Sequence, residues 1–136
     1  MLDTNVLSAI MRTKPDPAVA AWIAARRADQ LFTTTICQAE ILAGIAVLPG
    51  GRRSSALAAA AEAIFAHDFG DRVLTFDAAS AVAYAEIFAA RRRAGRSAPT
   101  LDLMIAAIAR ARGAGVVTGN ADDFAGCGID VVDPWH

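Results

Sequence analysis

The chain is expected to fold as an α/β domain, a parallel sheet covered by helices, because short β-branched runs alternate with longer helical patterns along its length. Two further observations support that class. At 136 residues and 55% hydrophobic content there is enough apolar material for one packed core and no room for a second. No internal repeat or flexible linker interrupts the alternation, so a single domain over residues 1–136 is expected.

Strand one is the start of the chain, residues 1–3, followed by a short helix over about 5–11. Asp16-Pro17 reads as a cap with proline at the first helical position, opening a helix to about residue 28. Residues 31–34 make strand two. Thr35-x-x-Gln38 has the spacing of a capping box, in which a hydroxyl and an amide satisfy each other's unpaired backbone donors, and predicts a helix to about residue 48 before Pro49-Gly50-Gly51. A further helix is expected over 53–67 and strand three over 72–76. Asp77 caps a long helix to residue 93, ended by Gly95. Pro99-Thr100 starts another, with Gly113 at its C-terminal end. Residues 116–118 and 129–132 are strands four and five, separated by a tight Asn/Asp/Gly-rich turn. The expectation is five strands and six or seven helices.

Charge excludes more than it identifies. Charged residues are 20% of the chain and the net charge is -1, so there is no polybasic tail and no acidic disordered segment. Cys37 and Cys127 have no metal-ligand spacing and cannot staple a small scaffold, which fits a reducing cytoplasm. The most apolar stretch, residues 54–66, contains Glu62 and falls short of the ~20 residues a membrane span needs. The first apolar run is broken by Asp3 and Asn5, so no signal peptide and no membrane partner are expected.

Three distant carboxylates stand in apolar settings: Asp3 at a strand end, Glu40 in QAEILAGI and Asp102 in TLDLMIAAIA. Charge against apolar surface requires a partner. Lys14 is the only lysine and the arginines gather elsewhere, which points to a divalent cation. Asn120, Asp122 and Asp123 add polar groups after strand four. In open α/β sheets ligands bind beyond the C-terminal strand ends, where strand order reverses, so Asp3 and the 120–123 turn can meet there. Glu40 and Asp102 reach the same crevice from the first turns of their helices, and the helix start near Thr100 is expected to help keep Asp102 ionised. Each signal has a plainer reading: Asp3-Thr4-Asn5 as a helix cap, Asp102 as a first-turn acid, residues 120–123 as a turn. Their convergence favours a metal site.

The motifs Leu2-Asp3-Thr4-Asn5-Val6-Leu7-Ser8, Gln38-Ala39-Glu40-Ile41-Leu42-x-Gly44, Leu101-Asp102-Leu103-Met104-Ile105-Ala106-Ala107 and Thr118-x-Asn120-x-x-Asp123-Phe124 follow one another in this order. Together they resemble the PIN-domain ribonucleases, within them the VapC and FitB-like toxins of type II toxin-antitoxin pairs, and the closing Asp133-Pro134-Trp135-His136 resembles the FitB-like end. The resemblance covers nearly the whole chain and implies a PIN-like α/β/α sandwich with a central five-stranded parallel sheet. It implies that Asp3, Glu40 and Asp102 hold magnesium, with manganese as a substitute. Asn120 and Asp123 are both carried for the fourth position, Asp123 as the preferred charge, while Thr4, Asn5 and Thr118 support the site. Relatives of this pattern carry a few more apolar residues before the first aspartate, so strand one is expected to be short.

The implied activity is hydrolysis of RNA phosphodiesters to a 5'-phosphate and a 3'-hydroxyl, inhibiting translation and growth. Three or four acids suffice for one or two hard ions that keep several waters. Without metal the carboxylates should repel one another and some should hold protons more tightly. The implied partners are an RNA substrate and a VapB/FitA-like antitoxin whose C-terminal segment enters the groove. DNA would be contacted only through the antitoxin.

Arg52 and Arg53, and Arg91, Arg92, Arg93 and Arg96, are candidate RNA-backbone contacts; for the second group a solvated helix end is the plainer reading. A mean hydropathy of +0.38 suggests surplus apolar surface and a homodimer. His67 and His136 read as surface residues, and Trp22 and Trp135 as packing residues. A haloacid-dehalogenase-like phosphotransferase would need an acid where Asn5 stands and a later lysine, and a receiver module would need a late lysine; neither is present. A catalytically silent interaction module with the same fold remains the alternative.

Overall fold

The computed structural model describes all 136 residues, and the predicted alternation is realised with seven α-helices and short strands. The helices are α1 (Thr4–Met11), α2 (Pro17–Ala24), α3 (Thr35–Ala46), α4 (Arg52–Glu62), α5 (Ala78–Arg93), α6 (Thr100–Ala111) and α7 (Ala121–Phe124). The strands are β1 (Thr33–Thr34), β2 (Val73–Leu74), β3 (Val116–Val117) and β4 (Val131–Val132).

Caps explain several boundaries. Asp16 accepts from the N–H groups of Ala18 and Val19, with Pro17 at the first helical position, and Asp77 accepts from the Ser80 N–H. The third helix departs by one residue from expectation. Thr34, not Thr35, is its cap, because the Thr34 hydroxyl reaches the Cys37 N–H while Thr35 already lies inside the helix. α2 stops at Ala24 and is followed by a 3-10 turn at Ala28–Gln30, where a helix to residue 28 was expected. α4 gives way to a wider π-helical segment, Ala63–Phe69, which turns Ile64, Phe65 and Phe69 into the core. The 120–123 turn contains the one-turn helix α7.

The five-stranded sheet is not present as a regular ladder. β1 pairs in parallel with β2, in register Thr33 to Val73, and β3 pairs in parallel with β4, in register Val116 to Val131. Strand one is reduced to a single parallel bridge between Leu2 and Val117, with the Leu2 N–H donating to the Phe32 carbonyl on the other side at 2.7 Å. The Leu2 segment thus links the two strand pairs. Its C-terminal limit is local: Asp3 leaves the extended run to cap α1, which begins at Thr4.

The core gathers around α6, whose Leu103 and Ile105 to Ala109 are all buried, together with Leu2, Val6, Leu7, Ile87, Val116 and Phe124. A helix apolar on nearly every side belongs in a protein's centre. This fixes the start of α6, and with it Asp102, beside the ends of the Leu2 segment and β3.

Candidate metal centre

Asp3 occupies the end of the Leu2 segment with only 3% of its surface exposed, and three donors hold its carboxylate. The Thr4 N–H donates to Oδ1 at 2.8 Å, the Thr118 hydroxyl to Oδ2 at 2.7 Å, and the Asn5 amide to Oδ2 at 3.2 Å. Asn5 also donates to Thr118 Oγ1 at 3.1 Å and accepts from the Gly119 N–H at 3.1 Å. Thr118 Oγ1 accepts in addition from the Asn120 N–H at 3.0 Å. A second link crosses from α1 to α3, where the Thr4 hydroxyl donates to Glu40 Oε1 at 2.8 Å. Thr4, Asn5 and Thr118 therefore hold the two acids in place, Asn5 and Thr118 at Asp3 and Thr4 at both.

Asp102 stands within electrostatic reach of Asp3, Asp123 and Glu40. Burial first, then the charge of Asp3, a hydrogen bond and charge from Asp123, and the charge of Glu40 raise its pKa from 3.8 to about 7. The helix start was expected to keep this group ionised. Desolvation and three like charges outweigh the partial positive charge of one helix terminus, so that expectation is overturned. The Asp3 pKa is raised as well, by burial against the opposing pull of Thr118 and Thr4 and with the charge of Asp123 adding to it. The expected mutual repulsion of the acids is present in both groups.

Four carboxylates from distant segments thus converge, yet no three are arranged as ligands of one ion. The donor set nonetheless fits a hard divalent cation in chemistry: oxygen donors, net negative charge and no cationic side chain bonded among them. Of the two candidates at the fourth position, half-buried Asp123 is the one whose charge reaches Asp3 and Asp102; exposed Asn120 makes no side-chain hydrogen bond.

Thr4 and Glu40 line a groove of about 880 Å3 between α1, α3 and α4. Arg52 and Arg53 line it, as does Arg12, which sequence reasoning missed. The signal existed: Thr4 and Ser8 share one face of α1, and Arg12 follows at the same four-residue spacing just past its end. Arg91 does not belong with the RNA-facing candidates. It is 4% exposed, and its guanidinium donates to the carbonyls of Ala125 and Ser97, satisfying backbone acceptors inside the protein. Arg92, Arg93 and Arg96 are exposed. Both cysteines are buried, as suits packing residues. Trp135 does more than pack: its indole Nε1 donates to Asp16 Oδ2 at 3.0 Å. No helix is long and apolar enough to cross a membrane.

Comparison with known proteins agrees with this fold. The PIN domain family model matches residues 1–127. The chain is 42% identical to the plasmid stability protein StbB of Pseudomonas syringae pv. tomato, over 100% of this chain and 98% of that protein. It is 35% identical to the VapC ribonuclease Y4jK of Sinorhizobium fredii, over 100% and 97%. Among solved structures, FitAB bound to a DNA fragment superposes with a TM-score of 0.92 at 31% identity, covering 99% of this chain and 94% of that one. With its fold, its four motifs in order and a family match over nearly its whole length, the chain belongs to the PIN-domain family.

Proposed function

We propose that this protein is a magnesium-dependent endoribonuclease, with manganese as a substitute ion, and the toxin of a type II toxin-antitoxin pair acting in the cytoplasm. The observation that carries the reading is the convergence of Asp3, Glu40, Asp102 and Asp123 from distant segments, near enough that burial and the three neighbouring carboxylates push the Asp102 pKa up to about 7. Such a cluster costs stability until a cation enters it, which is how metal sites of this kind are built. Asp3, Glu40, Asp102 and Asp123 would hold the ion, with Asn120 at the rim. When bound, the ion supplies an acidified water and offsets charge on the departing oxygen. The protein's own residues do the rest. Thr118, Asn5 and the Thr4 N–H aim the Asp3 carboxylate, and the Thr4 hydroxyl aims Glu40. Arg12, Arg52 and Arg53 provide cations along the groove for the RNA backbone, with exposed Arg92, Arg93 and Arg96 as a second basic patch.

The relative named VapC ribonuclease supports the activity, and the FitAB complex on DNA supports an antitoxin partner through which DNA is contacted. Exposed Val82 and Phe88 on α5 support self-association as a homodimer. A silent interaction module is the second reading, favoured by the lack of three carboxylates arranged about one point.

The test is cleavage of a mixed structured-RNA pool with magnesium, manganese or EDTA, comparing wild type, Asp3→Asn and Glu40→Gln. Metal-dependent cutting lost in both variants is expected. A folded wild type that neither binds manganese nor cuts would leave the silent module.

A further inference from the structure

We propose that Trp135 is a positioning residue: its indole, tied to Asp16, clamps Gly119 and so holds the Asn5–Thr118–Asp3 network in the arrangement the carboxylates need. Gly119 follows Thr118 and precedes Asn120, at the end of β3. Its φ is not positive, so its backbone does not demand glycine. The ring does: a Cβ on Gly119 would meet Trp135 Cζ3 at 2.9 Å and Cε3 at 3.3 Å. The N–H of this same residue is the donor that holds Asn5 Oδ1 at 3.1 Å, and Asn5 in turn donates to Asp3 and Thr118.

The clamp is anchored at both ends. Asp133 Oδ1 accepts from the Trp135 N–H at 2.9 Å and Pro134 is buried, which fixes the C-terminal turn. The indole Nε1 bonds Asp16, whose other oxygen caps α2 and whose own N–H donates to the Ala9 carbonyl near the end of α1. One side chain therefore connects the C-terminus, the α1–α2 junction and the turn that carries Asn120. The effect on catalysis rests on the nuclease reading; the clamp itself does not.

The experiment compares full-length wild type with Trp135→Ala, Trp135→Phe, Gly119→Ala and the double variant Gly119→Ala/Trp135→Ala. Hydrogen exchange of the residue 119 amide, manganese affinity by calorimetry, and kcat and KM on RNA are read for each. Trp135→Ala and Gly119→Ala are each expected to lower exchange protection and manganese affinity about tenfold, with kcat falling and KM little changed. Trp135→Phe keeps an aromatic ring but loses the Nε1 bond to Asp16, so its protection and manganese affinity should fall between those of wild type and Trp135→Ala. In the double variant the added methyl occupies space the ring has left, so its loss should be smaller than the sum of the single losses.

Unchanged amide protection and unchanged manganese affinity in a folded Trp135→Ala or Gly119→Ala protein would overturn the clamp. So would strict additivity in the double variant. If Trp135→Ala does not fold, Gly119→Ala and Trp135→Phe decide the matter from the other side. A wild type that neither binds manganese nor cuts RNA would fail the nuclease reading alone, because amide protection tests the clamp without metal or substrate.

Discussion

At the scale of single residues, the central fact is that Asp102 binds its proton more tightly in the folded protein than in the unfolded chain. Its pKa rises from 3.8 to about 7, so between those values the folded state carries more protons, and stability falls as pH rises through that window. Above it the penalty is complete. Asp102→Asn removes the penalty, and in EDTA at pH 8 it should raise the melting temperature by about 2–4 °C while abolishing RNA cleavage. At pH 4, where the native carboxyl is already protonated, the gain should vanish. An equal gain at both pH values in a thermal melt would show that charge is not the cause. Asp3 shifts in the same direction, by burial, although three donors hold it. Its hydrogen bonds orient the carboxylate more than they relieve it.

Elements answer to neighbours one or two residues apart, and the start of α3 shows how finely. The hydroxyls of Thr34 and Thr35 are adjacent in sequence, but only Thr34 has the extended backbone of a cap and reaches the Cys37 N–H. Thr34→Ala should cost about 1 kcal/mol in urea unfolding, and Thr35→Ala a few tenths at most. Comparable losses would move the cap. The C-terminal end of α5 divides in the same way. Arg91 turns inward to the carbonyls of Ala125 and Ser97, tying α5 to the segment after α7, while Arg92 and Arg93 face water. Arg91→Met leaves those carbonyls without donors and should destabilise by about 3 kcal/mol. Arg92→Met should be nearly neutral in the same denaturation series.

For the whole molecule, the cluster of acids opposes the fold, and the proposed cation would relieve that opposition. Four carboxylates brought together by α1, α3, α6 and the turn after β3 repel across the ends of the strands. Manganese at a hundred times its dissociation constant should therefore add about 2.7 kcal/mol of stability by mass action. Thermal melts with and without the ion measure it, and Asp3→Asn should lose most of the gain. A gain that survives in Asp3→Asn would place the ion elsewhere. The groove between α1, α3 and α4 joins Glu40 and its partner Thr4 with Arg12, Arg52 and Arg53 in one lining.

What the sequence determined by itself is what neighbouring residues decide among themselves. The caps at Asp16 and Asp77, the helical periods and the motifs around Asp3, Glu40, Asp102 and Asp123 are local or ordered along the chain, and they carried the α/β class and the acidic site. Tertiary structure alone decided the rest. Whether Arg91 meets water or carbonyls, whether Asp102 is ionised, and whether Trp135 merely packs or holds Gly119 all depend on atoms many residues away. The same holds for the strands, which shrink to two-residue pairs linked through Leu2 because pairing is made between segments and not within them. Burial and charge act through space, so their balance at any one residue exists only once the chain has folded.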